Sequence, residues 1–181
     1  MTILHLDSSI NGDNSASREL SRSIVEQLSG GREEVVYRDL AAEPLPHLTL
    51  AAFADTSVLD EFLAADAVVI GAPMYNFSAP SQLKAWIDRI LIAGKTFRYT
   101  ATGPEGLAGG KRVIVALARG GIYSEGSPAA ALEHLETYLR GVFNFIGIEP
   151  EFVAADGLAI GPEQRAESIA LALGETIRLA A

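Results

Sequence analysis

The chain has 181 residues, with 14 Lys plus Arg against 23 Asp plus Glu, a formal charge of −9, and no Cys. That length suits a single domain over 1–181 that buries roughly two-thirds of its unfolded surface without a disulfide or metal staple, and the missing thiols exclude a thiolate nucleophile and a Cys-ligated metal. The acidic excess argues against nucleic acid, no apolar run approaches the roughly 18 residues of a membrane helix, and Asp7 interrupts the start where a signal peptide would be apolar, so the expectation is a cytoplasmic protein acting on small molecules, with no membrane partner.

Thr2 to Asp7 (TILHLD) reads as a strand, Ser8 to Asn14 as a polar loop, and Leu20, Ile24, Val25 and Leu28 as the apolar stripe of a helix. A second strand covers Glu34 to Asp39 and a third Ala67 to Gly71, separated by a turn at Pro44 and Pro46 and one or two short helical pieces between Phe53 and Ala65. Ala72 to Pro80 is a loop and Ser81 a candidate N-cap. Leu83, Trp86, Ile87, Ile90 and Leu91 then fall at i, i+3, i+4, i+7 and i+8, the spacing of an amphipathic helix. Lys111 to Ala118 is a fourth strand and Arg119 to Gly126 a glycine-bearing loop. A helix is expected from about Pro128 to Ile146 on the stripe Leu132, Leu135, Leu139, Val142, Phe143 and Ile146, then a fifth strand at Phe152 to Ala155 and a closing helix at Glu163 to Leu179.

Five apolar strands alternating with helices specify an α/β fold, a doubly wound five-stranded parallel sheet with helices on both faces. Ligands in such sheets bind beyond the carboxyl ends of the strands, where the strand order reverses. That rule selects Ser8 to Ser17, Ala72 to Pro80 and Arg119 to Gly126. The first holds four Ser and two Asn ahead of a helix whose first turn includes Arg18. Main-chain amides at a helix start favour an anion, so Ser9, Ser15 and Ser17 could surround a phosphate; equally, Ser15 or Ser17 could serve only as an N-cap. The second loop sets Met74, Tyr75, Asn76 and Phe77 between prolines, a stiff wall suited to a flat heterocycle or, without a ligand, an aromatic turn. In the third, Gly120 and Gly121 let another group approach the main chain.

No G-x-G-x-x-G follows the first strand, so a dinucleotide fingerprint is absent. Gly94-Lys95-Thr96 imitates a phosphate loop, but Arg89 stands where its first glycine belongs and a helix precedes it. The three His, at His5, His47 and His134, have no metal-ligand spacing, and His5 suits a satisfied structural role in the first strand.

Taken together, SSI followed by S-x-S, P-M-Y-N-F-S-x-P-x-x-L-K-x-W-I-D, K-T-F-R-Y-T-x-x-G-P-x-G-L and R-G-G-I-Y occur in one order over nearly the whole chain. In this the sequence resembles the FMN-dependent NADH:quinone oxidoreductases that also act as azoreductases, a flavodoxin-like family. The resemblance implies an FMN phosphate held by Ser9, Ser15, Ala16 and Ser17, an isoalloxazine met by Met74, Tyr75, Asn76 and Phe77, and a pyrimidine side closed by Ala118, Arg119, Gly120 and Gly121. It implies Tyr123 as a tuner near flavin N1 and O2, Tyr99 and Phe145 in a substrate pocket or interface, and a homodimer. The chemistry implied is a ping-pong cycle in which NADH or NADPH reduces the flavin and a quinone or azo compound takes two electrons, the flavin and not a side chain carrying the hydride. The chain departs from the family in having Ala118 where Ser is common, Tyr123 where His is frequent, and a shorter stretch between the second and third strands.

Two other functions fit parts of the sequence. A flavodoxin-type electron carrier without its own nicotinamide site shares the sheet and acidic surface, but its compact Thr/Gly-rich phosphate loop does not match SSINGDNSAS. A serine hydrolase built on Asp7-Ser8 needs a late His base, and none follows His134.

Overall fold

In the computed structural model, which describes residues 1–179, strand β1 (Thr2–Asp7) runs inside a parallel sheet, next to one of its edges, and feeds helix α1 (Ala16–Ser29). There follow β2 (Glu34–Asp39), α2 (Ser57–Ala64), β3 (Ala67–Pro73), α3 (Ser81–Ile90), a hairpin of β4 (Phe97–Thr100) and β5 (Gly103–Gly106), β6 (Arg112–Ala118), α4 (Glu136–Phe145), β7 (Glu151–Ala155) and α5 (Pro162–Leu179). The sheet order is β2-β1-β3-β6-β7, all parallel, so the order reverses between β1 and β3. This is the doubly wound architecture read from the strand and helix pattern, and its switch point lies beside the loop that follows β1.

Alternation along the central strands sorts the side chains into two cores. Leu4, Leu6, Val68 and Ile70 face Phe62, Leu83, Trp86, Leu139 and Phe143 of α2, α3 and α4. Ile3, Val69 and Ile114 face Leu20 and Ile24 of α1 and Ala172 of α5. Each fully buried Leu, Ile or Phe contributes about 1.5–3 kcal/mol of transfer free energy, which is why apolar runs dominate these strands.

Three details differ from the sequence pattern. β3 continues through Ala72 to Pro73, because those residues pair with Leu117 and Ala118 of β6. Ser81 is not a side-chain cap: Pro80 holds the cap position, and the Ser81 hydroxyl turns to Gln82. The expected helix from Pro128 is shortened to α4, with only a single turn of 3-10 helix at Ala130–Leu132 before it. Glu133 is the physical reason. Its carboxylate accepts hydrogen bonds from the main-chain N–H of Leu135, Glu136 and Thr137 and from the Thr137 hydroxyl, satisfying amides that a continuing helix would have bonded internally. Leu132, counted in the apolar stripe, is exposed.

The hairpin was not foreseen, since FRYT and GPEG are short and mostly exposed. It presses on the end of α4, where a Cβ on Gly106 would stand 2.2 Å from the Gly147 nitrogen.

Candidate functional site

The loop after β1 is fixed by the side chains of Ser15 and Arg18. Ser15 is the N-cap of α1, its hydroxyl accepting from Arg18 N at 3.3 Å, and its Oγ lies 3.1 Å from Ser17 Oγ. Arg18 turns to the edge strand and lines neither of the two clefts that Met74 and Tyr75 share. Its guanidinium grips Asp39 of β2 through two hydrogen bonds of 2.7 and 2.8 Å and donates to the Ser9 carbonyl at 2.8 Å, so the edge strand holds the loop in place. Asp39 is consequently held below its ordinary range by the Arg18 hydrogen bond.

Beneath this loop α1 crosses β3 at close range. Asp7, buried at the end of β1, accepts from the Ser21 hydroxyl at 2.8 Å and from Tyr37 Oη at 3.1 Å. His5 Nε2 lies 3.0 Å from the same Ser21 hydroxyl, the satisfied structural histidine expected of that strand. Burial, with Asp7 and Asp39 adding to it, pushes the Tyr37 phenol up to about 12. Gly71 permits the crossing, because a Cβ there would sit 2.3 Å from Asp7 Oδ1 and 3.1 Å from the Ser17 carbonyl.

The second loop is a two-residue hairpin. Tyr75 and Ser78 exchange main-chain hydrogen bonds of 3.0 and 3.1 Å, and the residues between them, Asn76 and Phe77, have φ of 48° and 73°. Such a turn needs positive φ at both central positions, which Asn tolerates and a bulky residue like Phe does not. Phe77 is held there by its neighbours: its carbonyl accepts from His134 N at 3.1 Å and its ring meets Tyr123 edge-on at 6.3 Å. Tyr75 ties this loop to the first, its hydroxyl accepting from Ile10 N at 3.1 Å and lying 3.3 Å from Ser9 Oγ.

The third loop is stapled to the segment after β7. Arg119 N donates to Ala155 O, while the carbonyls of Arg119, Gly120 and Gly121 accept from Leu158, Ala159 and Gly157. With these carbonyls so turned, the peptide N–H groups of Gly120 and Gly121 are left for another partner. The Arg119 side chain is buried and lies against Asp156 at 2.6 Å and against Glu133 and Glu136 at 3.5 and 3.4 Å. The main-chain N–H and carbonyl of Arg119 are likewise taken up by Ala155 and Leu158, so Arg119 shapes the loop without lining the cleft that the neighbouring Ala118 and Gly120 border.

These loops meet at the carboxyl edge of the sheet. One cleft of about 240 Å³ is lined by Ser9, Ser15, Ala16, Met74, Tyr75, Ala118 and Gly120 and, unforeseen from sequence, by Leu158, Ala159 and Arg165. Arg165, on α5, also donates to the Asn14 carbonyl at 3.0 Å and so brings a cation to the helix start. A second cleft of about 640 Å³ shares Met74 and Tyr75 with the first and adds Ile10, Asn76 and the start of α3. The first cleft alone is smaller than the range of about 300–1,000 Å³ typical of cofactor sites, but the two adjoining clefts together fall within it. The first suits a phosphate, with the N–H groups of the opening turn of α1 and the Ser15 hydroxyl converging on it. The second, walled by Met74 and Tyr75, suits a flat apolar ring.

The remaining expected residues lie outside the two clefts. Ser17 is fully buried behind Ser15. Phe77 flanks the second cleft and is 42% exposed. The Tyr123 ring packs beneath Gly121, where a Cβ would come within 3.2 Å of it, and lines a separate cleft with Arg119, Glu133 and Glu136. Tyr99 projects from the hairpin, 76% exposed, and Phe145 packs on Phe97 at 4.7 Å. Within one chain neither Tyr99 nor Phe145 joins the clefts. The rule of strand carboxyl ends could have found the segment at Leu158 and Ala159, since it follows the fifth strand; Arg165 carried no sequence signal.

The fold and the cleft define a flavodoxin-like protein. The family described as Flavodoxin_2, with a flavodoxin-like fold, matches residues 1–179, and the chain belongs to it. It is 58% identical to FMN-dependent NADH:quinone oxidoreductase 2 of Bradyrhizobium diazoefficiens, over 96% of each chain. Among solved structures it is similar to the azoreductase AzrA, with a TM-score of 0.90 and 31% identity over 99% of each chain. It is also similar to an FMN-dependent NADH-azoreductase from Bacillus anthracis in complex with FMN, with a TM-score of 0.84 and 26% identity over 100% of each.

Proposed function

We propose that the chain is an FMN-dependent NADH:quinone oxidoreductase that also reduces azo compounds. The observation that carries this reading is the meeting of Ser9, Ser15, Ala16, Met74, Tyr75, Ala118 and Gly120 in one cleft at the start of α1. Its close relatives are named for the same activity. Bound there, FMN supplies a two-electron carrier between NADH or NADPH and the acceptor.

The Ser15 hydroxyl and the N–H groups of Ala16 and Ser17 would hold the phosphate, with Arg165 adding positive charge at the opposite wall. Met74, Tyr75 and Asn76 would lie along the ring system. The N–H groups of Gly120 and Gly121 would face its pyrimidine edge, where fixed donors stabilise negative charge without reorganising. Tyr123 acts as a positioning residue for that peptide through its packing under Gly121. The donor and the acceptor use the second cleft in turn.

The site is completed in a homodimer, in which the exposed Ile10, Phe77 and Tyr99 supply apolar surface and Phe145 braces Tyr99 through Phe97. A cytoplasmic location, and no nucleic-acid or membrane partner, belong to the same proposal; the charge of −9 and the lack of a helix long and apolar enough to cross a membrane among the described residues support it.

Stopped-flow mixing of FMN-loaded protein with NADH tests the reading. Rapid bleaching of the flavin absorption by NADH alone is expected, and steady-state rates with a simple quinone should give parallel double-reciprocal lines. Bleaching too slow to support turnover would instead favour an electron carrier, and intersecting lines would contradict the shared cleft.

A further inference from the structure

Arg89 sits in the last turn of α3, eight residues from Ser81, which places it about 12 Å along the helix from the end that borders the flavin clefts. Its residue is 8% exposed. Nη2 donates to the Pro46 carbonyl at 3.1 Å, while Nε has no hydrogen-bond partner among the described residues. A buried guanidinium with an unused donor is costly unless an anion meets it. Arg89 lines a cavity of about 150 Å³ whose other walls include Leu48, Phe53, Leu59 and Ile92, with Lys95 also on the lining. Asp55 is the acidic member of that lining; its carboxylate accepts from Ser57 N at 3.0 Å, so one oxygen is already committed within its own turn.

We infer that this cavity binds a small monocarboxylate with an apolar body, its carboxylate on Arg89 and its body against Leu59 and Ile92. The two cations outweigh Asp55, which leaves the lining with a net positive charge to complement one anion. Nε itself is shut off from the cavity, so a carboxylate would meet the guanidinium at its Nη edge, where Nη1 has no hydrogen-bond partner among the described residues and Nη2 donates to Pro46; a planar carboxylate matches that edge as it would not match an ammonium. The size sets the body: an apolar cavity of about 150 Å³ accommodates a benzene ring. The inference is independent of the flavin reading, since the cavity shares no lining residue with either cleft.

The test uses the FMN-loaded protein and benzoate, followed by titration calorimetry and by methyl NMR. Saturable binding of one benzoate is expected, with shifts at Leu48, Leu59 and Ile92, none at Met74, and no change in the flavin spectrum. Neutral benzamide should bind at least tenfold more weakly, as should benzoate to Arg89→Met, with flavin retention unchanged. Ala52→Phe, which fills the cavity from its exposed turn, should abolish binding and decides the matter should Arg89→Met fail to fold. The inference is overturned by the absence of saturable binding, by shifts confined to Met74, by equal binding of benzamide, or by wild-type benzoate affinity in either variant.

Discussion

Replacing Gly71 by Ala sets a methyl group into the narrowest approach between β3 and α1. The added carbon would stand 2.3 Å from Asp7 Oδ1, 3.1 Å from the Ser17 carbonyl and 3.2 Å from Ser21 Oγ. Ordinary contact begins at about 3.5 Å, so the Asp7 carboxylate has to retreat by about 1 Å or α1 has to lift. Retreat breaks the 2.8 Å bond from Ser21, and lifting moves the main chain two residues past the Ser15 cap. Overpacking costs about 1–3 kcal/mol, and weakening a buried carboxylate's hydrogen bond adds about 1 kcal/mol. At about 2–4 °C per kcal/mol for a chain of this size, the apoprotein should melt about 4–16 °C lower by calorimetry. Because the same shift displaces the N–H groups proposed to hold the phosphate, the FMN dissociation constant should rise about tenfold in a fluorescence-quenching titration, a loss of about 1.4 kcal/mol. A Gly71→Ala apoprotein melting within about 1 °C of wild type would refute the reasoning.

Tyr75→Phe keeps the ring and removes the hydroxyl that anchors Ile10 and Ser9; FMN affinity should fall about three- to tenfold with circular dichroism unchanged, since one such bond contributes about 0.5–1.5 kcal/mol. At the strained turn, Phe77→Gly and Phe77→Ala lose the same contact with Tyr123, but only Gly relieves the positive φ, so the Gly variant should be the more stable of the two by about 1 kcal/mol in denaturant titrations, and equal stabilities would argue that the backbone is unstrained. Acid should act through Asp39, which the Arg18 hydrogen bond lowers from 3.8, and through Glu133, which burial would raise but its hydrogen bonds lower from 4.5. Carboxylates depressed in the folded state stabilise it above those ordinary values, and the contribution is lost as the pH falls through and below them. The melting temperature should therefore hold between about pH 7 and pH 5 and drop below about pH 4.5, with a shallower drop in Asp39→Asn.

The central strands were legible because burial on both faces leaves no choice but continuous apolar runs, as in AVVIG of β3, and α3 because its stripe faces one core. The start of α4 was not, since periodicity counts Leu132 and is blind to a carboxylate at Glu133 that satisfies the amides a longer helix would use. The hairpin escaped because its order comes from packing on Gly147, far along the chain, and not from local pattern. At the site, the serines and the Met74–Asn76 wall could be placed by loop position. What composition cannot show is which way a side chain turns: Arg18, in the first turn of α1, and Arg119, in the third loop, are consumed by Asp39, Asp156, Glu133 and Glu136, while Arg165 arrives from the last helix.

The proposed cofactor would be held at two places, its phosphate at the start of α1 and its ring along Met74 and Tyr75. Titrating the apoprotein with FMN and, separately, with riboflavin measures the two halves at once. One FMN per chain should bind, with riboflavin at least a hundredfold weaker, about 2.7 kcal/mol for the missing charge-assisted contacts. Equal affinities for the two, or no FMN bound at all, would contradict that placement.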